Sequence, residues 1–370
     1  MFRVARRASD NVPMKIAILG GGHGCHAAAA DLSEAGHEVR LWRRDAAALR
    51  AVITSGGIVL KDGAGRREIG IALATPDIAA ALRGAELVLI PSPATAQADI
   101  AKAIAPHLVD GQVVFLPPGS FGSFLMAQRV RASGQRAEVL WAETGTLPYL
   151  ARKHGEREVA VTVRAVRLPT GVYPARHSER AIAVIREAYP SVHGCGDALS
   201  GALMNAGPII HPPLMVMNAA PLQHFEKWDI HTEGTQASVR AVTDRLDLER
   251  IALREALGYA APHYPLSDHY NNDRWMYGDA HKKLQKSGDW REHIDLHTHR
   301  YISEDTVLGL AFMASVARWA QVEAPIAQGL LAIVGAFLGR DLRQGERTLE
   351  ALGLAGLSKA QLQQRLHDGE

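Results

Sequence analysis

A five-residue apolar run, Lys15-Ile-Ala-Ile-Leu19, gives way without a spacer to Gly20-Gly-Gly-His-Gly-Cys25. An alanine-rich stretch at 26–35 follows, closed by Gly36, and residues 37–42 (HEVRLW) read as a second strand. No other feature restricts the fold as strongly. A strand that breaks into glycines and a helix, with another strand behind it, is the opening unit of a doubly wound parallel sheet. Gly20 and Gly22 fill the first two glycine positions of a dinucleotide-binding turn. Cys25 takes the third, where a small residue still lets helix and strand approach. Gly20, Gly22, His23 and Gly24 are thus candidates to cradle a pyrophosphate, with the amides and partial positive charge of a helix N-terminus behind them.

The end of the second strand bears on the coenzyme. An acidic residue there accepts from the ribose 2′-hydroxyl of NAD, but this chain has Arg43-Arg44 and then Asp45. Two guanidinium groups suit a 2′-phosphate, so NADP(H) is favoured over NAD(H). The plainer alternative is a solvated pair, with Asp45 capping the next helix. Further strands at 86–90, 112–116 and 138–141 run into loops at 91–94, 117–120 and 143–149, with a helix over 95–108. Ligands collect beyond the carboxyl ends of such strands, which makes Ser92 and Glu143 candidates to line the nicotinamide. A late strand at 159–166 and a helix at 178–188 complete the reading: an α/β Rossmann domain over 14–197, then an all-α domain over 198–370.

Composition narrows the partners. A chain of 370 residues has room for two cores, and 47% hydrophobic with 22% charged residues is the balance of a soluble globular protein. A net charge of +2 gives no general surface for nucleic acid. The longest apolar stretch, 326–338, is too short for a bilayer, though it suits a homodimer face as readily as a core. Two cysteines, Cys25 and Cys195, suggest no disulfide framework and fit a reducing, cytoplasmic setting. Residues 1–13 carry three arginines and read as a disordered lead-in or an upstream start site.

In the second half the period becomes helical. Residues 244–257 place Leu246, Leu248, Ile251, Leu253 and Leu257 at helical spacing before Gly258, and 304–320, 326–338 and 358–367 behave alike. Within 205–213 (NAGPIIHPP), His211 precedes Pro212, which predicts an extended, stiffly held backbone. That suits a directed catalytic group, or a simple helix break. Reducing a carbonyl or imine needs an acid, a counter-charge and a cation for the substrate carboxylate. His211, Arg300 and either Glu304 or Asp305 are the right types, although surface charges at a helix start would look the same. His293, His297 and His299 lack a glutamate or cysteine in metal-site spacing, so no metal is expected.

Five segments in order, KIAILGGGHG, NAGPIIHPPLMVMNA, LDLERIALREALG, HRYISED and GRDLRQGERTLEALGL, resemble the opine dehydrogenases (the octopine/nopaline dehydrogenase family) along almost the whole chain. The resemblance implies an oxidoreductase that couples an amino acid to a 2-oxo acid and reduces the imine with NAD(P)H. It assigns the catalytic histidine to His211, its partner to Asp305, and the oxo-acid carboxylate to Arg300. Asn205, from the same Asn-x5-His-Pro element, becomes a substrate-binding candidate. The aromatic-rich segment 261–297 matches no pattern, and its Trp275 and Tyr277 either line the amino-acid pocket or pack in the core. Asp305 is expected to raise the pKa of His211 above the ordinary value of about 6.5. A 2-hydroxy-acid dehydrogenase and a non-catalytic NAD(P)-binding sensor are the rival readings.

Overall fold

The computed structural model describes residues 13–287 and 290–370, so the lead-in expected over 1–13 lies outside the described residues apart from Pro13. Twelve strands organise the first half: β1 Lys15–Leu19, β2 Glu38–Trp42, β3 Gly57–Asp62, β4 Gly65–Gly70, β5 Leu73–Thr75, β6 Leu87–Leu89, β7 Val113–Leu116, β8 Leu140–Thr144, β9 Tyr149–His154, β10 Glu158–Arg164, β11 Leu168–Tyr173 and β12 Val192–Asp197. Eight form one sheet in the order β12-β11-β8-β7-β6-β1-β2-β5. It is parallel except between β8 and β11. The central strands β6 and β7 are buried along their whole length, as a sheet covered on both faces requires. Strand order reverses between β1 and β6, and the crevice there is where such a sheet takes its ligand.

The remaining four strands build a second sheet, β4-β3-β10-β9. The strand expected at 159–166 is thus β10, outside the main sheet. Its alternating burial marks a layer with one covered face. Helix α1, His23–Glu34, packs against strands of both sheets, and its run Ala27-Ala-Ala-Ala30 is small enough to let both approach. Cys25 is buried against the Leu19 and Pro91 carbonyls, so it fills the third glycine position without parting helix from strand.

From Ala198 onward the chain is helical, apart from a ribbon of β13 Trp228–Asp229 and β14 Arg291–Glu292. The helix expected at 244–257 starts earlier, at Ala237, and runs to Ala256. The expected 304–320 helix has two parts: a π-helix, Tyr301–Leu310, and an α-helix, Ala311–Trp319. Among the described residues no helix is long and apolar enough to cross a membrane. The last helix, Lys359–Asp368, has a full Ser358/Gln361 capping box. Its end returns to the first half, where Arg131 donates to the Gly369 carbonyl.

Candidate active site

His211 lies in the middle of a helix, Gly207–Met217, and not on the extended backbone expected of it. Pro208 suits the first turn, where its missing N–H costs nothing. Pro212 and Pro213 have no N–H to give the carbonyls of Pro208 and Ile209, so the interior of this helix is short of bonds. Packing outweighs that local loss. Gly309 of the π-helix sits so close that a Cβ there would come 2.3 Å from Pro208 Cγ. A Cβ at Gly207 would come 2.2 Å from Asp305 Oδ1. Two glycines therefore let the helices close on one another.

That approach brings His211 Nδ1 to 2.7 Å from Asp305 Oδ2. Tyr301 lies parallel beneath the imidazole, with ring centroids 3.6 Å apart. The π-helix turns an arginine and an aspartate five residues apart toward one side. Its bonds run i→i+5, so residues five apart lie nearly above one another. In an α-helix the same spacing would turn them apart by about 140°. Arg300 stands at the head of this element and forms no ion pair among the described residues. Desolvation works against its charge, but Tyr301, Asp305 and Glu304 more than offset it and its pKa rises.

The electrostatics reverse one expectation. Burial, reinforced by Arg300 and Arg152, pushes His211 well below its ordinary range. Burial lifts Asp305 to about 7, with Arg300 opposing. Desolvation of both partners works against their mutual attraction and favours the uncharged form of each. Next door, Glu304 is also buried and lifted to about 7. Its Oε1 accepts from the Ala94 N–H at 2.7 Å, which ties the π-helix to the loop after β6.

The glycine turn fits a dinucleotide. Gly20 has φ 129°, a backbone open to glycine, and a Cβ there would strike Ser92 Oγ at 2.3 Å. Gly22 precedes α1 and nothing lies within 4 Å of where its Cβ would be; Gly24, in the first turn, is packed by Leu147 and Pro91. The first turn of α1 holds no acidic residue and its N-cap has no side-chain cap, so its amides remain available to phosphate. His23 is in that turn, its Nδ1 accepting from the Lys153 N–H at 2.7 Å. Partial desolvation and the fields of Arg152 and Arg300 hold its pKa near 4. Ser92 donates to the Leu19 carbonyl at 2.9 Å, beside the crevice. The two arginines part company: Arg43 lies over Gly21, while exposed Arg44 reaches Asp99 at 3.5 Å.

Three candidates are placed otherwise than expected. Glu143 is fully buried in β8, held by the Ser123 hydroxyl at 2.7 Å and pressed under Gly119, and burial lifts it to about 7. Trp275 is buried among His269 and Tyr277, so its alternative as a core residue holds. Asn205 is buried too, donating to Ser120 Oγ at 2.8 Å and accepting from the Gly207 N–H at 3.0 Å. It supports the start of the histidine helix. Of the three histidines weighed for metal, His293 follows a strand residue rather than sitting on a helix, and Nδ1 approaches the Glu226 carbonyl. No metal-holding group of three or more His, Cys, Asp or Glu occurs among the described residues.

Sequence reading missed several neighbours. His231 Nε2 meets the Tyr301 hydroxyl at 3.0 Å, and its ring centroid lies 6.1 Å from that of His211. Trp290 packs on His231, and Arg152 of β9 stacks on Trp290. Only Tyr301, inside the HRYISED element, carried a signal; the others come from elements whose meeting is non-local.

The segment 194–338 matches the family model described as NAD/NADP octopine/nopaline dehydrogenase, alpha-helical domain, and 16–135 matches that of ketopantoate reductase PanE/ApbA. The opine dehydrogenase of Arthrobacter sp. (strain 1C) is 30% identical over 353 residues, covering 93% of this chain and 96% of that protein. Octopine dehydrogenase in complex with NADH and agmatine superposes with TM-score 0.70 at 18% identity, covering 96% of this chain and 98% of that one. NADP+-bound yersinopine dehydrogenase does so with TM-score 0.63 at 15% identity, covering 96% and 98%. The chain belongs to the opine dehydrogenase family, NAD(P)H-dependent oxidoreductases that reductively condense an amino acid with a 2-oxo acid.

Proposed function

We propose that His211 and Asp305 form the catalytic pair of this opine dehydrogenase, that Arg300 binds the oxo-acid carboxylate, and that NADPH is preferred over NADH. The supporting observation is the 2.7 Å His211–Asp305 contact with an arginine, free of ion pairs among the described residues, at the head of the same π-helix. Gly20, Gly22, His23 and Gly24 would hold the pyrophosphate, with Ser92 bracing the turn from behind. The coenzyme, when bound, supplies hydride to the imine carbon. His211 presents Nε2 to the reacting centre because Nδ1 is committed to Asp305. The imidazole gives a proton to the oxygen that leaves as water on condensation, and Asp305 balances the charge. Anchoring the carboxylate on Arg300 removes a field that depresses His211, so substrate binding itself favours the proton-bearing form.

The test is a matrix of amino acids against 2-oxo acids, each oxo acid also assayed alone, following oxidation of NADPH and of NADH. Activity that needs both substrates is the expected result. Reduction of oxo acids alone would favour a ketone dehydrogenase, and a blank matrix the sensor. Arg300→Lys keeps the charge but loses the planar fork. It should raise KM for the oxo acid about 10-fold, the scale of one charge-assisted hydrogen bond, with coenzyme KM unchanged.

Arg43, folded over the glycine turn, carries the coenzyme preference, and outward-facing Arg44 contributes little. Arg43→Ala should raise KM for NADPH about 10-fold or more and leave that for NADH nearly constant. Equal effects on both would remove the 2′-phosphate from the assignment.

A further inference from the structure

The condensation joins two α-carboxylates through one secondary amine, whereas the roles given to Arg300, His211 and Asp305 account for only one of them. Leaving the second carboxylate without a cationic partner in a partly desolvated site would be unfavourable. The wall beside His211 offers a match. Arg152 projects from β9 with its Cζ 3.9 Å from the centre of the Trp290 ring, and one of its amino groups meets Glu292 Oε1 at 2.8 Å. Trp290 packs on His231 at 5.0 Å between centroids, and His231 lies 6.1 Å from His211.

Two buried donors in this wall have no acceptor among the described residues: Arg152 Nε and Trp290 Nε1. Both are N–H groups, on side chains in direct contact. Buried donors are almost always satisfied, so an adjacent orphan pair points to an acceptor that arrives with substrate. The charge count agrees. Arg152 and Arg300 act on the same groups, His23, His211, His231, His299 and Tyr301. Among the described residues, Glu292 is the one carboxylate in ion-pair contact with either.

We propose that Arg152, with the Trp290 N–H beside it, binds the α-carboxylate of the amino donor. The assignment rests on the opine dehydrogenase reading and gives each carboxylate of the product its own arginine, one from each half of the chain. Arg152 is also an inter-domain tie through Glu292, so the experiment must separate binding from bracing.

The experiment uses the full chain with the best substrates from the matrix, and compares the amino acid with its carboxamide. Wild type should prefer the acid strongly. Arg152→Gln should raise KM for the amino acid 10- to 100-fold, abolish the preference over the carboxamide, and leave KM for the oxo acid and coenzyme within about three-fold. Arg152→Lys should restore part of the preference, and Trp290→Phe should weaken it about three-fold. Glu292→Gln, which breaks the tie but frees the guanidinium, should leave KM for the amino acid unchanged or lower. If Glu292→Gln mimics Arg152→Gln, or if Arg152→Gln still discriminates acid from carboxamide, Arg152 is a brace and the inference is overturned. A wild type with no amino-acid-dependent turnover would instead overturn the underlying reading, and the inference with it.

Discussion

His211→Ala is expected to lower kcat by about 100-fold or more while the dissociation constant for NADPH stays within about two-fold of wild type. The size follows from the loss of a positioned proton donor. The selectivity follows from geometry: the proposed coenzyme cradle is built from β1, the glycine turn and α1, whereas the imidazole pairs with Asp305 and packs on Tyr301 and His231. Coenzyme binding is read by fluorescence titration and turnover under saturating substrates. Removing the ring also exposes the face of Tyr301, so the melting temperature should be recorded beside the kinetics. His211→Asn, which keeps a polar side chain but no transferable proton, should fall as far as alanine. Turnover within a few-fold of wild type in either variant would remove His211 from the chemistry.

How much of this was legible beforehand can be argued residue by residue. The first strand and the glycine turn were, because a buried parallel strand and a tight turn restrict residue type locally: Lys15–Leu19 is a strand, and Gly20 has a φ that favours glycine. His211, Asp305 and Arg300 were legible as chemistry through their motifs, but their meeting was not. It depends on Gly207 and Gly309 allowing two helices to close, and on π-winding that places five-residue neighbours on one face. The expected extended backbone at His211 failed because a local proline preference was weighed without the packing that overrides it. Glu143 failed for another reason. The rule that ligands gather at carboxyl ends of strands locates a loop, but alternation along β8 turns this side chain into the core toward Ser123. Arg152 was out of reach altogether, since β9 joins a second sheet through pairing that no local pattern announces.

Asp305→Asn should be nearly as costly as loss of the histidine, about 100-fold in kcat near neutral pH, with a changed dependence on pH. The amide can neither hold a proton for the ring nor balance the charge of the imidazolium from which Nε2 would give its proton. The sign follows from the acid role: a proton donor works below its pKa and is lost as pH rises through it. In wild type the Asp305 carboxyl, lifted to about 7, keeps a proton in the pair up to neutrality. In the variant only the imidazole remains, and burial with Arg300 and Arg152 hold it well below 6.5. The falling limb should therefore move to lower pH, and the deficit should shrink as pH is lowered. The amino donor must itself lose a proton before condensing, but that requirement is common to both proteins and cancels in the ratio of their profiles. A ratio independent of pH would show that Asp305 only orients the ring. Gly207→Ala offers an independent approach to the same pair: its Cβ would push the carboxylate away from Nδ1, so kcat should fall and the falling limb should move in the same direction as in Asp305→Asn.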